Sequence, residues 1–284
     1  GIGLVKTTED FGSQGEEPSH RELLDWLAVD FRENNWDLRK LFKKMVLSAT
    51  YRQSSNIRKG MEDPDNRLLA RGARFRLNGE IIRDQAIFAA GMLSDKTGGP
   101  SVYPYQPAGL WMELTNRVDF QMRYKNSTGD DLYRKSMYTF WKRALPHPSM
   151  TAFDAPERDI CIVKRAQTNT PLQALTLLHD PTYIEAARVL AARSLKKSKN
   201  DVKAAVVEAF RRVLTRKPAA EEINILVDVY KQKLAVLKKR PELITSQLSV
   251  GEFKNDNSLD QMKLAAFTTV CHTLFNLSET ITRN

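Results

Sequence analysis

The chain has 284 residues, 42% hydrophobic and 27% charged, with a mean hydropathy of -0.45. That is the make-up of a folded globular protein; 13 Gly and 12 Pro are too few for a fibre or a low-complexity chain, and no apolar run approaches the ~18–20 residues of a membrane span. Lysine and arginine total 44 against 34 acids, a net charge of +10, with 22 bases and 19 acids up to Lys142 and 22 and 15 beyond it; a field of that sign suits polyanions, although solubility alone accounts for a charge of this size.

The opening GIGLVKTTEDFG has no starting Met and matches neither a signal nor a transit peptide. It reads as the beginning of a segment inside a larger protein, so a missing leader carries no information on compartment. Ser19 and Glu22 have the spacing of a capping box. With Leu23, Leu24, Leu27 and Phe31 on one face behind them, a helix is predicted over 20–33, ended by Asn34 and Asn35. Asp37 is placed to cap a second helix with the stripe Leu38, Leu41, Phe42, Met45, Val46 and Ala49. The short linker makes the pair an α-hairpin. Asp63-Pro64-Asp65-Asn66 predicts the start of a short helix, and Asn78 that of another over 79–93.

Residues 98–111, GGPSVYPYQPAGLW, cannot be regular helix, because Pro100, Pro104 and Pro107 interrupt them. The stretch 117–143 fits strand or helix equally, so a small β element is open there. Asn169 or Thr170 caps a helix that starts at Pro171 and has Leu172, Leu175 and Leu178 on its apolar face. Asp180-Pro181 repeats that start signal for 182–195, and Asp201 caps the next helix. The longest helix runs from Pro218 to just before Pro241, with Ile223, Leu226, Val227, Tyr230, Leu234 and Leu237 at helical spacing. A polar loop over 241–259 and a final helix over 260–278 complete the chain. The expected fold is mostly α: one multi-helix globular domain over 1–284 with long irregular loops. Two subregions are expected within it, a helical hairpin plus loops over 1–165 and a helical bundle over 166–284.

Only Cys161 and Cys271 are present. They are too few for a disulfide scaffold or a cysteine-rich zinc site, and two separately buried thiols are expected rather than one long-range bridge. Cys271-His272 resembles the end of a c-type haem motif, but Thr268 stands where the first Cys belongs.

Several segments together resemble one family: DFGSQGEEPSHRELLDWLA at 10–28, WDLRKLFKKMVLSATYRQSS at 36–55 and GGPSVYPYQPAGLW at 98–111. YRKSMYTFWKR at 133–143, FDAPERDIC at 153–161, TNTPLQALTLLHDP at 168–181 and FNLSETITRN at 275–284 follow in the same order. The family is domain of unknown function 1553, a planctomycete-type secreted domain. Arg21 and His179 depart from its pattern, standing where Pro and Asn are commoner. The resemblance implies the C-terminal part of a large exported protein, hence an extracytoplasmic location. It also implies upstream domains as partners within the same polypeptide, one of them cytochrome-like, so that haem c is expected only on that separate domain and no cofactor in this segment. The family brings no established catalytic residue.

Two constellations are candidates for binding. The run 153–165, FDAPERDICIVKR, with Asn169 beyond it, gathers Asp154, Arg158 and Arg165, where arginines could clamp a sulfate or carboxylate; an ion-pair network pinning a loop explains the same charges. The aromatics Tyr103, Tyr105 and Trp111, with Trp141, could stack on sugar rings or fill a gap between helices. The reading that results is a non-catalytic binding or scaffolding domain that recognises acidic or sulfated polysaccharide. The alternative is a carbohydrate-active hydrolase with Asp154, Arg143, Arg165 and His179 in one cleft. Nucleic acid has only net charge in its favour, and no metal site is expected.

Overall fold

A computed structural model describes residues 2–57, 59–60, 62–113 and 124–283. The described chain is helical in the main, and divides into two compact units: Gly1–Arg76 with Cys161–Lys164 and Thr282–Asn284, and Leu77–Ile160 with Arg165–Ile281.

In the first unit, α1 (Arg21–Glu33) and α2 (Leu38–Leu47) form the expected hairpin. Asp37 caps α2, its carboxylate accepting the N–H groups of Arg39 (2.9 Å) and Lys40 (3.1 Å). The capping box does not form: the Ser19 hydroxyl lies 3.3 Å from the Leu4 carbonyl and 3.0 Å from the His20 ring, while His20 stands at the N-cap without a side-chain cap bond. The hairpin turns through Asn35 and Trp36, both in the left-handed region, and Lys44 ties the helices by pairing with Asp30. A short helix, α3 (Ala49–Arg52), follows. No helix starts at Asp63; its carboxylate instead takes the N–H groups of Arg67 and Leu68 at 2.8 and 2.9 Å, closing a tight loop. Strand β1 (Phe75–Arg76) pairs antiparallel with β2 (Thr282–Arg283), Phe75 opposite Arg283.

The second unit is built around α8 (Pro181–Lys197), which packs on α4 (Gly79–Ala89), α9 (Val202–Leu214) and α12 (Gln261–Phe275). Ala186, Ala187 and Ala191 of α8 are fully buried, and such small side chains let helix axes approach closely. α12 is buried nearly all round, from Leu264 to Phe275. α10 (Ala220–Lys239) closes the far side through Leu226, Val227, Tyr230 and Leu237. Asp180 and Asp201 cap α8 and α9 as their spacing predicts. The 241–259 stretch holds a further helix, α11 (Glu242–Leu248), and the C-terminal segment holds α13 (Ser278–Ile281).

Two further expectations change. α7 (Pro171–His179) starts at Pro171 as predicted, but it buries Gln173 and Leu177, whereas Leu172, Leu175 and Leu178 are 59%, 49% and 38% exposed. Around 117–143 the described residues hold 3₁₀ turns over Gly129–Tyr133 and Ser136–Tyr138, with isolated bridges Val102–Thr139 and Lys142–Leu145 in place of a sheet; residues 117–123 lie outside the described set. The 98–111 loop is irregular until α5 (Leu110–Glu113), and α6 (Pro148–Thr151) is a single turn.

Candidate functional site

A guanidinium withdrawn from water must find acceptors for its donors, and in the second unit three buried arginines find them on loop carbonyls. Arg83 of α4 donates to the carbonyls of Leu132 (2.6 Å) and Arg134 (3.0 Å) and to the Ser136 hydroxyl (3.1 Å). The adjacent Asp84 accepts the Ser136 N–H at 2.8 Å and its hydroxyl at 2.6 Å. Burial lowers the Arg83 pKa against the opposing charge of Asp84, and raises that of Asp84 despite the bonds from Ser136. Arg134, with no exposed surface, holds the carbonyls of Pro100 (3.0 Å) and Gly98 and stacks 3.8 Å over the Tyr138 ring.

Arg188 of α8 holds the carbonyls of Phe253 (2.7 Å) and Val250 (3.3 Å) and the side chain of Asn255. One turn earlier, Glu185 accepts the Phe253 N–H (2.6 Å) and the Tyr133 hydroxyl (3.0 Å). Gly251, at φ 86°, permits this approach: a β carbon there would lie 2.1 Å from the Glu185 carboxyl carbon. Arg83 and Arg188 thus fix irregular segments to helices, and Arg134 ties the 98–100 loop to the segment that Arg83 holds. Arg83, Glu185 and Arg188 are hard to read from the sequence because they interrupt apolar runs, IIRD and YIEAARV, as ordinary surface charges do.

His147 and Ser149 form a second buried pair, 3.0 Å apart. The opposite ring nitrogen must carry the proton, since it donates to the Tyr105 carbonyl at 3.0 Å, so the Ser149 hydroxyl donates to Nδ1. A serine beside an imidazole is the core of a nucleophilic site. Burial, reinforced by the charge of Arg83, lowers this imidazole to about 4, which leaves it a poor base near neutrality. Both side chains are buried.

The aromatic loop packs against Tyr124, Phe140 and Lys142. Tyr103 stacks on Phe140 at 4.9 Å and meets Tyr124 edge-on. Trp111, 7% exposed, lies against Tyr124 with Lys142 4.2 Å from its ring centroid. The Tyr105 hydroxyl accepts the Glu252 N–H at 2.9 Å, and burial together with the nearby Glu185 charge raises it to about 12. Gln106, Trp111, Tyr124 and Thr128 border a cavity of about 540 Å³.

The charged candidates fall into separate settings. Arg165 pairs with Glu80 of α4 at 2.7 Å; burial alone would raise that carboxyl, but the Arg165 bond and charge, with Arg158 nearby, bring it below its usual value. Arg158 lies 4.4 Å over Trp141, whose indole N–H donates to the Glu157 carbonyl at 3.0 Å. Asp154, at φ 58°, accepts the N–H (2.8 Å) and hydroxyl (2.9 Å) of Thr168. Arg143 is exposed, 3.9 Å from Asp159, and Asn169 is exposed. His179 is exposed at the C-terminal end of α7, whereas Thr168, the partner of Asp154, precedes the N-terminal end. Nine helical residues separate those ends by roughly 13 Å. Cys161 is exposed, contrary to expectation, while Cys271 is buried and both are free thiols. Burial raises the Cys271 pKa, and His272 donates to the Leu177 carbonyl at 2.8 Å.

A basic cleft, which no motif announced, lies along α8. A cavity of about 520 Å³ is lined by Arg188, Arg193 and Lys196 of α8 and by Lys254 and Asp256 of the loop between α11 and α12. It adjoins a recess of about 340 Å³ among Arg193, Lys196, Lys197 and Arg212. Lys196 pairs with Asp256 at 3.0 Å, and Glu208 bridges Lys197 (2.9 Å) and Arg212 (2.7 Å). Arg193 and Lys254 pair with no carboxylate among the described residues. Asp256 is lowered to about 2 by the Ser258 hydroxyl and then by Lys196.

Among the described residues, no group of three or more His, Cys, Asp or Glu side chains could hold a metal ion, and no helix is long and apolar enough to cross a membrane. A family model described as a protein of unknown function, DUF1553 (PSD1), matches residues 1–230. No curated protein and no solved structure matches the chain.

Proposed function

The chain belongs to the DUF1553 family, and from that premise we propose that it is a non-catalytic binding and scaffolding domain of an exported multidomain protein, taking an acidic or sulfated polysaccharide in the cleft along α8. The observation that carries this reading is the charge of the cleft: six bases line its two connected parts, and Asp256 is the one acid among the lining residues. Guanidinium groups bind sulfate and carboxylate bidentately, and a row of such groups suits a polymer that repeats them. The scaffolding half of the reading is supported by the use made of the buried arginines, which hold loops through carbonyls. Any haem c belongs to a separate upstream domain, because this chain offers Thr268 and a buried Cys271 where attachment needs two reachable thiols.

The test is calorimetric titration with a heparin-like sulfated glycan, polygalacturonate, neutral dextran, and duplex DNA and RNA, at salt concentrations from about 50 to about 300 mM. The charged glycans are expected to bind, more weakly as salt rises, and the combined variant Lys196→Ala, Lys197→Ala and Arg212→Ala is expected to weaken them on the order of tenfold or more. No binding, binding confined to dextran, or tighter binding to nucleic acid than to any glycan refutes the assignment.

A further inference from the structure

Six bases line the cleft along α8, but four of them already have an acid beside them. Arg188 lies buried 3.7 Å from Glu185 and is occupied with loop carbonyls. Asp256 takes Lys196 at 3.0 Å, and Glu208 takes both Lys197 and Arg212. Arg193 and Lys254 remain. Both are exposed, both line the larger cavity, and neither has a hydrogen bond or ion pair among the described residues.

The fold holds these two in place. Arg193 stands where the cavity meets the smaller recess, with its guanidinium laid on Gly91. A β carbon at Gly91 would lie 1.6 Å from Nη1 and 2.6 Å from Cζ of Arg193. Gly91 ends the last turn of α4 at φ 68°, so a glycine supplies both the space and an unstrained left-handed backbone. Lys254 stands between Phe253 and Asn255, and Arg188 binds both of these neighbours, the first through its carbonyl at 2.7 Å and the second through its side chain. Glu185 takes the Phe253 N–H at 2.6 Å. The backbone that carries Lys254 is thus clamped on either side. Val189, Ala192 and Leu264 also line the cavity, and apolar walls concentrate the field of the charges beside them.

We propose that Arg193 and Lys254 form a subsite for one terminal oxyanion of the ligand, a sulfate ester or a carboxylate, while the other four bases act on it only through their field. The proposal rests on the cleft reading above and narrows it from a row of bases to a pair. A guanidinium edge takes two oxygens of such a group, and an ammonium adds a point charge. Removing Lys196, Lys197 and Arg212 leaves Asp256 and Glu208 uncompensated nearby, which weakens an anion without touching it.

The test titrates the full chain with methyl sulfate and, separately, with acetate at about 50 mM salt, following the arginine Nε–H signals by NMR. The Arg193 signal, identified by its loss in Arg193→Lys, is expected to shift saturably while that of Arg212 stays in place, and the tighter of the two anions identifies the group. Lys254→Ala should weaken that anion on the order of threefold. Arg193→Lys keeps the charge and loses the fork, and should weaken the heparin-like glycan on the order of fivefold. An Arg193 signal unmoved by both anions overturns the subsite, as does an equal shift at Arg212. So does a glycan affinity unchanged in both Arg193→Lys and Lys254→Ala. The two readings fail separately: a saturable Arg193 shift without glycan binding keeps the subsite and removes the polysaccharide, and glycan binding with Arg193 silent does the reverse.

Discussion

Helices α2 and α12 have the same apolar share, six residues of ten and nine of fifteen, and opposite fates. α12 encloses Leu264, Phe267, Val270, Leu274 and their neighbours on every side, whereas α2 buries nothing completely. The difference lies in the polar residues and their arrangement: of the six in α12 five are threonines, a glutamine and a histidine beside one lysine, Lys263, while all four of α2 are cations and five of its six apolar residues share one stripe. The first pattern belongs to a helix surrounded by its own fold, and the second to a helix that needs one covered face.

The largest expected effect breaks this comparison directly. Phe267→Ala in α12 should lower unfolding stability by about 4 kcal/mol, since it removes a side chain with no exposed surface and leaves a cavity. Phe42→Ala, 58% exposed, should change it by no more than about 0.5 kcal/mol, as measured by urea titration. Equal losses would mean that the stripe on α2 is core after all.

Acidification is the next lever, because it acts on the buried polar groups of the second unit. His147 is held at about 4 by burial and by Arg83, against an unfolded value near 6.5. Between those values the unfolded chain takes up a proton that the folded chain refuses, so stability falls as the pH drops through that window. At pH 5 the loss is about 2 kcal/mol relative to pH 7. Asp84 and Asp180, both raised chiefly by burial, act in the opposite sense, the folded chain keeping protons that the unfolded chain releases. The quantity to measure is therefore the difference between wild type and His147→Gln in urea titrations at pH 5 and 7. The variant should lose about 2 kcal/mol less on acidification, and identical slopes would remove His147 from the account.

What the sequence discloses follows the same division. Signals between near neighbours were legible: Asp37, Asp180 and Asp201 each cap the helix their spacing announces, and three prolines keep 98–111 irregular. Ser19 failed as a cap because the Leu4 carbonyl, fifteen residues away, offers its hydroxyl another partner. Periodicity identified the stripe Leu172, Leu175 and Leu178 but not what lies against it, and that stripe is exposed. Arg83, Glu185 and Arg188 are invisible as loop clamps, since their partners at 132–136 and 250–255 are 49 to 68 residues away. The basic cleft is hidden for the same reason: it is assembled from α8, α9 and the loop at 253–257, and only the larger charge excess beyond Lys142 hinted at it.

The smallest effect separates the two regions most cleanly, because one chemical change is made in both. Asp201 accepts the N–H groups of Lys203 and Ala204 at 2.9 and 3.3 Å, and Asp37 those of Arg39 and Lys40 at 2.9 and 3.1 Å. Replacing either by Ala should cost its helix about 1 kcal/mol. In α9, where Ala205, Val206, Ala209, Phe210 and Val213 are buried, fraying the first turn opens packed surface, so Asp201→Ala should lower the urea midpoint. In α2 no fully buried side chain is lost when that turn frays, so the penalty should be local. Amide exchange over 38–47 should quicken on the order of fivefold while the urea midpoint stays in place. If Asp37→Ala lowers that midpoint as far as Asp201→Ala does, α2 is bound into the same cooperative structure as α9, and the contrast between a surrounded helix and one with an uncovered face fails.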